Sequence, residues 1–110
     1  MPIQLYVFER RDDVVAEALE NVALDVCRNL RAREGIHSSR FYWHGSDSVV
    51  ILTEGETVAL DARADRNLAR AAFVLAVLAR TTMNWRLDEP RASEKLVHLT
   101  EVGEIAAMKR

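Results

Sequence analysis

The stretch IQLYVFERRDDVVAEALENVALDVCRNLRAR, residues 3–33, contains two hydrophobic periods in succession. Its first residues alternate as in a strand, with Ile3, Leu5 and Val7 on one face. From about residue 13, apolar residues recur at spacings of three and four, which predicts a helix that ends near residue 33. This strand and helix begin a pattern that the second half of the chain follows in similar order, without a sequence repeat.

The rest of the chain predicts a hairpin, a second helix and a last strand. Residues 39–44 and 48–54 flank the turn formers Gly45-Ser46-Asp47, which is typical of a hairpin. The second helix is predicted over about residues 62–83, and the last strand over residues 95–101. The order βαββαβ predicts an α+β fold, a ferredoxin-like sandwich whose four-stranded antiparallel sheet carries two helices on one face.

Three details of these elements are also predicted. Asp12 is expected to cap the first helix, and Asp61 or Asp65 the second, because a carboxylate can accept from free amides of the first turn. Residues 57–60 are expected to form a short extra strand or a loop. Cys27 is the only cysteine, so an internal disulfide is excluded, and its place beside the apolar stripe favours a small buried hydrophobe.

Length and composition indicate one globular domain over residues 1–110. Hydrophobic residues make up 49% of the chain and charged residues 29%. The formal net charge is −2 without a basic block, which disfavours a nucleic-acid partner. The longest apolar run, residues 71–79, is too short to cross a bilayer, and the N-terminus lacks a signal-peptide pattern. We therefore expect no membrane partner and a cytoplasmic location.

Two helices can cover only one face of such a sheet. We expect Ile3, Leu5 and Val7 on the covered face, with Phe41 and Trp43 of the second strand. An uncovered face this aromatic needs a second sheet, a ligand or both, since two facing sheets can enclose a chamber. The residues expected on the uncovered face are Gln4, Tyr6, Phe8, Arg10, Arg40, Tyr42, His44, Leu96, His98 and Thr100.

The chain resembles the dimeric α/β barrel superfamily, which includes antibiotic-biosynthesis monooxygenase-like proteins. The resemblance covers nearly the whole chain and is one of layout. It rests on the order βαββαβ in about 110 residues, on Tyr6-Val7-Phe8-Glu9 in the first strand, and on Ala71-Ala72-Phe73-Val74-Leu75-Ala76 in an Ala-rich second helix. It implies a homodimer formed through facing sheets, with small organic molecules bound between sheet and helices.

The activities that this resemblance implies are cofactor-free oxygenation, isomerisation and haem degradation. The haem-degrading branch uses an Asn on the first strand and a His on the second helix. This chain has Gln4 on the first strand and no His in the second predicted helix. The resemblance therefore implies a protein without a cofactor.

His98 is the candidate catalytic residue, because a mid-strand imidazole can act as a general base near neutral pH. Tyr6, Phe8, Tyr42 and Arg40 are expected to form an aromatic, positively charged pocket for a planar or anionic ligand. Packing between two sheets explains the same four residues without a ligand. A hydrogen-bonded structural histidine is the alternative for His98.

Trp85 is expected on a loop after the second helix, either as part of a mobile lid over the substrate or as a packed residue. No metal site is expected, because the three histidines lack ligand spacing.

Two functions therefore stay open. The first is a homodimeric small-molecule-binding protein, with cofactor-independent monooxygenase or isomerase-like chemistry. In that case His98 transfers the proton, Tyr6 and Tyr42 position the substrate, and Arg40 stabilises an enolate or phenolate. The second is a non-catalytic binding or interaction protein, whose aromatic sheet face serves only dimerisation.

Overall fold

A computed structural model of the chain describes residues 1–88. The predicted last strand, residues 95–101, and the candidate base His98 lie outside the described residues. Seven elements follow one another along the described part of the chain: β1 (Ile3–Arg10), α1 (Ala16–Arg31), β2 (Ile36–His44), β3 (Ser48–Gly55), α2 (Thr57–Asp61), α3 (Arg66–Leu78) and β4 (Ala79–Leu87).

The four strands form one antiparallel sheet in the order β2-β3-β1-β4. Helix α1 packs on β2, β3 and α3, and α3 also contacts β4, so the long helices form one layer on one face of the sheet. This arrangement confirms the predicted ferredoxin-like βαββαβ fold. The short helix α2 is an addition between β3 and α3.

The second half of the chain differs from its prediction in where the elements end. Helix α3 begins at Arg66 and ends at Leu78, so the prediction of one helix over residues 62–83 is wrong at both ends. The apolar spacing continues past Leu78, but the chain turns directly into β4, which pairs with β1 along its whole length. Residues 57–61 are helical, which corrects the expected strand or loop.

The predicted caps had different outcomes. The Asp65 side chain accepts from the Leu68 amide at 2.8 Å, so the predicted cap of the second long helix is confirmed. Asp12 is wrong as the first cap, because Val15 occupies the N-cap of α1 without a side-chain hydrogen bond.

The core lies between α1, α3 and the central strands, where Leu19, Val49 and Ile51 are almost completely buried. Cys27 is fully buried there as predicted. Burial raises the pKa of the Cys27 thiol, against smaller lowering effects of a hydrogen bond with Ser39 and the charge of Arg31. The thiol is therefore a neutral part of the core at physiological pH.

Strand pairing decides which face of β1 is covered. Tyr6 pairs with Ile51 and Phe8 with Val49, and directly paired residues of antiparallel strands share a face. Since Ile51 and Val49 belong to the core, Tyr6 and Phe8 face the helices. Gln4 follows the same parity and is 7% exposed.

The prediction for β1 was therefore inverted. Ile3, Leu5 and Val7, expected under the helices, lie on the opposite face, which we call the outer face. Both sides of β1 are apolar, so the alternation alone could not tell which side the helices cover.

The prediction for β2 is confirmed. Phe41 pairs with Ile51 and Trp43 with Val49, which places both aromatic rings on the helix side. Arg40, Tyr42 and His44 alternate with them and lie on the outer face.

Candidate functional site

A cavity of about 370 Å³ lies between the sheet and the helices. Tyr6 and Phe8 of β1 line it together with Ile51 of β3. Leu30 of α1 and Leu75 of α3 contribute apolar walls. Its size and its mixture of aromatic and aliphatic walls are typical of a site for a small organic molecule.

Small side chains surround the open end of this cavity. The exposed members of the lining include four alanines and one threonine, and they come from the segment after α2, from α3 and from β4. Because these side chains are short, they leave the entrance wide. They are Ala62, Ala64, Ala72, Ala76 and Thr81.

Tyr6 carries the polar group most suited to a ligand in this cavity. Its ring stacks on Phe8 with a centroid distance of 5.8 Å and an interplanar angle of 20°. Within residues 1–88 the Tyr6 hydroxyl has no hydrogen-bond partner. The phenol of Tyr6 offers a ligand both a donor and an acceptor.

A chain of polar side chains runs along the cavity side of β1 and β4. Gln4 Nε2 donates to Asn84 Oδ1 at 2.6 Å and to the Trp85 carbonyl at 3.1 Å. Arg86 Nε donates to Gln4 Oε1 at 2.8 Å, and Arg86 also pairs with Asp61 at 2.5 Å. This amide chain, Asp61–Arg86–Gln4–Asn84, ties the end of α2 to the edge strand.

Arg33 fixes the wall that follows α2. Its guanidinium donates to the carbonyls of Ala59, Ala62 and Arg63 at 3.2, 3.1 and 2.5 Å. Arg33 also lines the cavity, so it brings a positive charge close to the ligand space. These three bonds hold the segment that carries Ala62 and Ala64 at the cavity entrance.

The outer face of the sheet is a continuous apolar surface. The register places Leu52, Leu5 and Trp85 in one row and Val50, Val7 and Met83 in the next, with Ile3 and Leu87 beside them. Met83 is 51% exposed and Trp85 48% exposed. No helix within residues 1–88 packs on this face, and a monomer rarely leaves such a surface in water.

Polar side chains surround this apolar surface. Arg40, Tyr42 and His44 lie along its β2 edge. At one end of the strands, Glu9 forms an ion pair with Arg80 at 2.5 Å. An apolar centre with a polar rim is the usual anatomy of a protein–protein interface.

The structure divides the predicted site residues between the two faces. Tyr6 and Phe8 line the cavity, whereas Arg40 and Tyr42 lie on the outer face. The prediction that all four share one pocket is wrong, because it placed β1 in the wrong orientation. Trp85 lies in β4 on the outer face and not on a loop.

Sequence reasoning missed Gln4, Asn84 and Arg86 as parts of the site. The signal that points to them is the alternation of Met83, Trp85 and Leu87 with Asn84 and Arg86, which is typical of a strand with one polar face. It was assigned instead to a helix end and a loop.

Within the described residues, no three His, Cys, Asp or Glu side chains lie close enough together to hold a metal ion. The helices of that part of the chain are also too short or too polar to span a bilayer.

Comparison with solved structures finds proteins of similar fold, some of which are described as antibiotic biosynthesis monooxygenases. Rv0793 from Mycobacterium tuberculosis has a TM-score of 0.68 at 20% identity, over 82% of this chain and 96% of its own. SnoaB, a cofactor-independent oxygenase from Streptomyces nogalater, has a TM-score of 0.71 at 13% identity, over 83% and 94% of the two chains. These likenesses show a shared fold.

A third solved structure, an antibiotic biosynthesis monooxygenase, has a TM-score of 0.65 at 14% identity, over 82% of this chain and 99% of its own. No family model matches the sequence, and no curated protein matches it.

Proposed function

We propose that this protein is a homodimer that binds a small organic molecule in the cavity between its sheet and helices. We further propose cofactor-independent chemistry of the monooxygenase or isomerase type. The observation that carries the proposal is the aromatic cavity itself, in which the Tyr6 hydroxyl has no partner among residues 1–88. The fold shared with SnoaB, a cofactor-independent oxygenase, supports the type of reaction.

An oxygenase without a cofactor must take its electrons from the substrate. An activated methylene group can supply them, because its reaction with dioxygen gives a carbonyl and one water molecule in balance. The substrate must first lose a proton to become an electron-rich enolate or phenolate. A planar, ionisable aromatic molecule therefore suits both this chemistry and the cavity's Tyr6 and Phe8 rings.

His98 is proposed as the group that takes the proton, because imidazole titrates near neutral pH. Tyr6 is proposed to position the substrate from the cavity lining. Arg40 and Tyr42, on the outer face, are proposed to lie at the rim of the dimer and outside the ligand cavity.

The dimer is proposed to form through the outer face. Its apolar rows would pack against the same rows of a second copy, with the polar edge residues at the rim. Closing the apolar surface in this way removes Met83 and Trp85 from water, which is the main driving force for association.

Native mass spectrometry of the purified protein tests the proposal. We expect a dimer that carries an additional small mass or takes up an added planar phenol. A dimer that binds no such molecule would favour the alternative, a non-catalytic interaction protein whose sheet face serves dimerisation alone. A monomer at micromolar concentration would contradict both. For the proton-transfer role, we expect His98→Ala to retain ligand binding and lose dioxygen consumption.

A further inference from the structure

The amide chain Asp61–Arg86–Gln4–Asn84 has a fixed direction. A guanidinium has donors and no acceptor, so the oxygen of the Gln4 amide must face Arg86. The Gln4 nitrogen then faces Asn84, and the Asn84 oxygen must turn towards it to accept. Arg86 thereby fixes the orientation of both amides.

The direction of the amide chain determines whether its Asn84 end presents donors or an acceptor to a ligand. Both hydrogens of Gln4 Nε2 are taken, one by Asn84 and one by the Trp85 carbonyl. The Asn84 nitrogen has no partner within residues 1–88, and the Asn84 side chain is exposed. The amide chain therefore ends at the Asn84 side chain, whose two N–H donors are not used within residues 1–88.

This free end lies beside the cavity entrance. Asn84 pairs directly with Tyr6 across the sheet, which brings their Cβ atoms to within about 5.5 Å of each other on the same face. Gln4, Tyr6 and Thr81, its neighbours on that face, all line the cavity. Asn84 is not itself among the lining residues, so a molecule must fill the cavity and extend past this edge to reach the Asn84 amide.

We propose that Asn84 is a specificity-determining residue whose Nδ2 donates to an oxygen of the bound molecule. The inference rests on the proposed cavity site and adds the class of ligand. The preferred ligand carries an acceptor oxygen, a ketone or an ionised phenol or enol, at the end that faces β4. Gln4 and Arg86 act as positioning residues, because they hold the Asn84 amide with its donors outward.

A matched pair of probes tests the donor role. Acetylnaphthalene and isopropenylnaphthalene have nearly the same shape, because both substituents are branched at a planar carbon, but only the acetyl group carries an oxygen that accepts a hydrogen bond. Their affinities for the full-length protein are measured from the fluorescence of the naphthalene ring. We expect wild-type protein to prefer the acetyl probe by roughly fivefold, the value of one hydrogen bond.

The variant Asn84→Asp removes the N–H donors of Asn84 and leaves the other hydrogen bonds of the amide chain in place. The aspartate oxygen still accepts from Gln4, but the outward donors are gone, so we expect the preference for the acetyl probe to disappear. Asn67→Asp introduces the same charge on an exposed residue of α3 and should leave the preference unchanged. Thermal unfolding of each variant checks that it is folded.

Gln4→Glu tests the positioning role without touching Asn84. A carboxylate accepts from both neighbours, so the Asn84 amide must reverse and present its oxygen outward. We expect this variant also to lose the preference for the acetyl probe. A merely structural role for Gln4 would instead weaken the binding of both probes equally.

The possible failures are distinguishable. If both probes bind and Asn84→Asp keeps the wild-type preference, the donor role is overturned and the cavity site stands. If neither probe binds wild-type protein at its solubility limit, the cavity site is overturned, and the role of Asn84 falls with it.

Discussion

The two faces of this sheet are built from alternate residues of the same strands, yet within residues 1–88 the helices cover only one of them. The helix face has its own cover, and within the described residues its polar groups Gln4, Ser39 and Thr53 are buried and hydrogen-bonded. The outer face has apolar rows and no helix over them within residues 1–88. The covered face is therefore suited to hold a molecule, and the outer face is suited to hold a second chain.

The largest effect is expected from a charge in the middle of the outer face. Leu5→Lys places an ammonium among Leu52, Trp85 and their partner copies, where burial of a charge without a counter-ion costs several kcal/mol. We expect the dimer to dissociate in sedimentation experiments at micromolar concentration. The matched control is Val58→Lys on α2, where an equally apolar side chain is 80% exposed, and it should remain dimeric.

Alanine substitutions at two neighbouring residues of β3 compare how the two faces contribute to the free energy of unfolding. Ile51 is 1% exposed on the helix side, so Ile51→Ala should lower the free energy of unfolding by about 2–5 kcal/mol at every protein concentration. Leu52 lies on the outer face, so the effect of Leu52→Ala should grow as concentration rises and the dimer forms. Urea titrations at two protein concentrations measure both. Equal, concentration-independent losses would contradict the division between the faces.

Removing the hydroxyl of a tyrosine on each face shows which face binds the ligand. Tyr6→Phe removes the hydroxyl from the cavity and should weaken the binding of a planar phenol by about three- to tenfold. Tyr42→Phe makes the identical change on the outer face and should leave that affinity unaltered in the dimer. Titration calorimetry gives both constants. A larger loss from Tyr42→Phe would move the ligand to a chamber between the two sheets.

The smallest effect concerns the Cys27 thiol under the covered face. Burial raises the pKa of this thiol above its ordinary value of 9.0, so the folded state keeps the proton to a higher pH than the unfolded chain does. The contribution to stability is full below pH 9.0 and is lost as pH rises from there through the folded pKa. Denaturation series across this range should show a decline that is smaller in Cys27→Ala. Identical slopes in both proteins would contradict the assignment.

Several features of this molecule follow from the sequence because one local signal indicates each. The stripe through Leu19, Val22 and Val26 predicts α1 and its buried side. In β2, aromatic Phe41 and Trp43 alternate with polar neighbours, and the face predicted for these two rings is confirmed, although a slip of one residue would have exchanged the two faces. Asp65 is one of the two residues predicted to cap α3, because a carboxylate before a helix satisfies its free amides, and the structure selects it over Asp61.

The candidate site was predictable only in part. Tyr6 and Phe8 were predicted to bind a ligand on the uncovered face, whereas the structure places both in the lining of the cavity on the helix side. Gln4, Asn84 and Arg86 were missed, because their bonds join residues about eighty positions apart. Such contacts exist only after β1 and β4 have paired.

The sequence by itself determined the fold class and the buried side of α1, and the alternation in β2 favoured its correct face, since periodicity and polarity are properties of short segments. Only the tertiary structure decided where α3 ends and which side of β1 the helices cover. The helical spacing runs through Leu75, Ala79 and Met83 without a glycine or proline, but residues 79–87 form a strand because β1 offers them an edge with which to pair. Both sides of β1 are apolar, so pairing with the buried Val49 and Ile51 of β3 orients the strand.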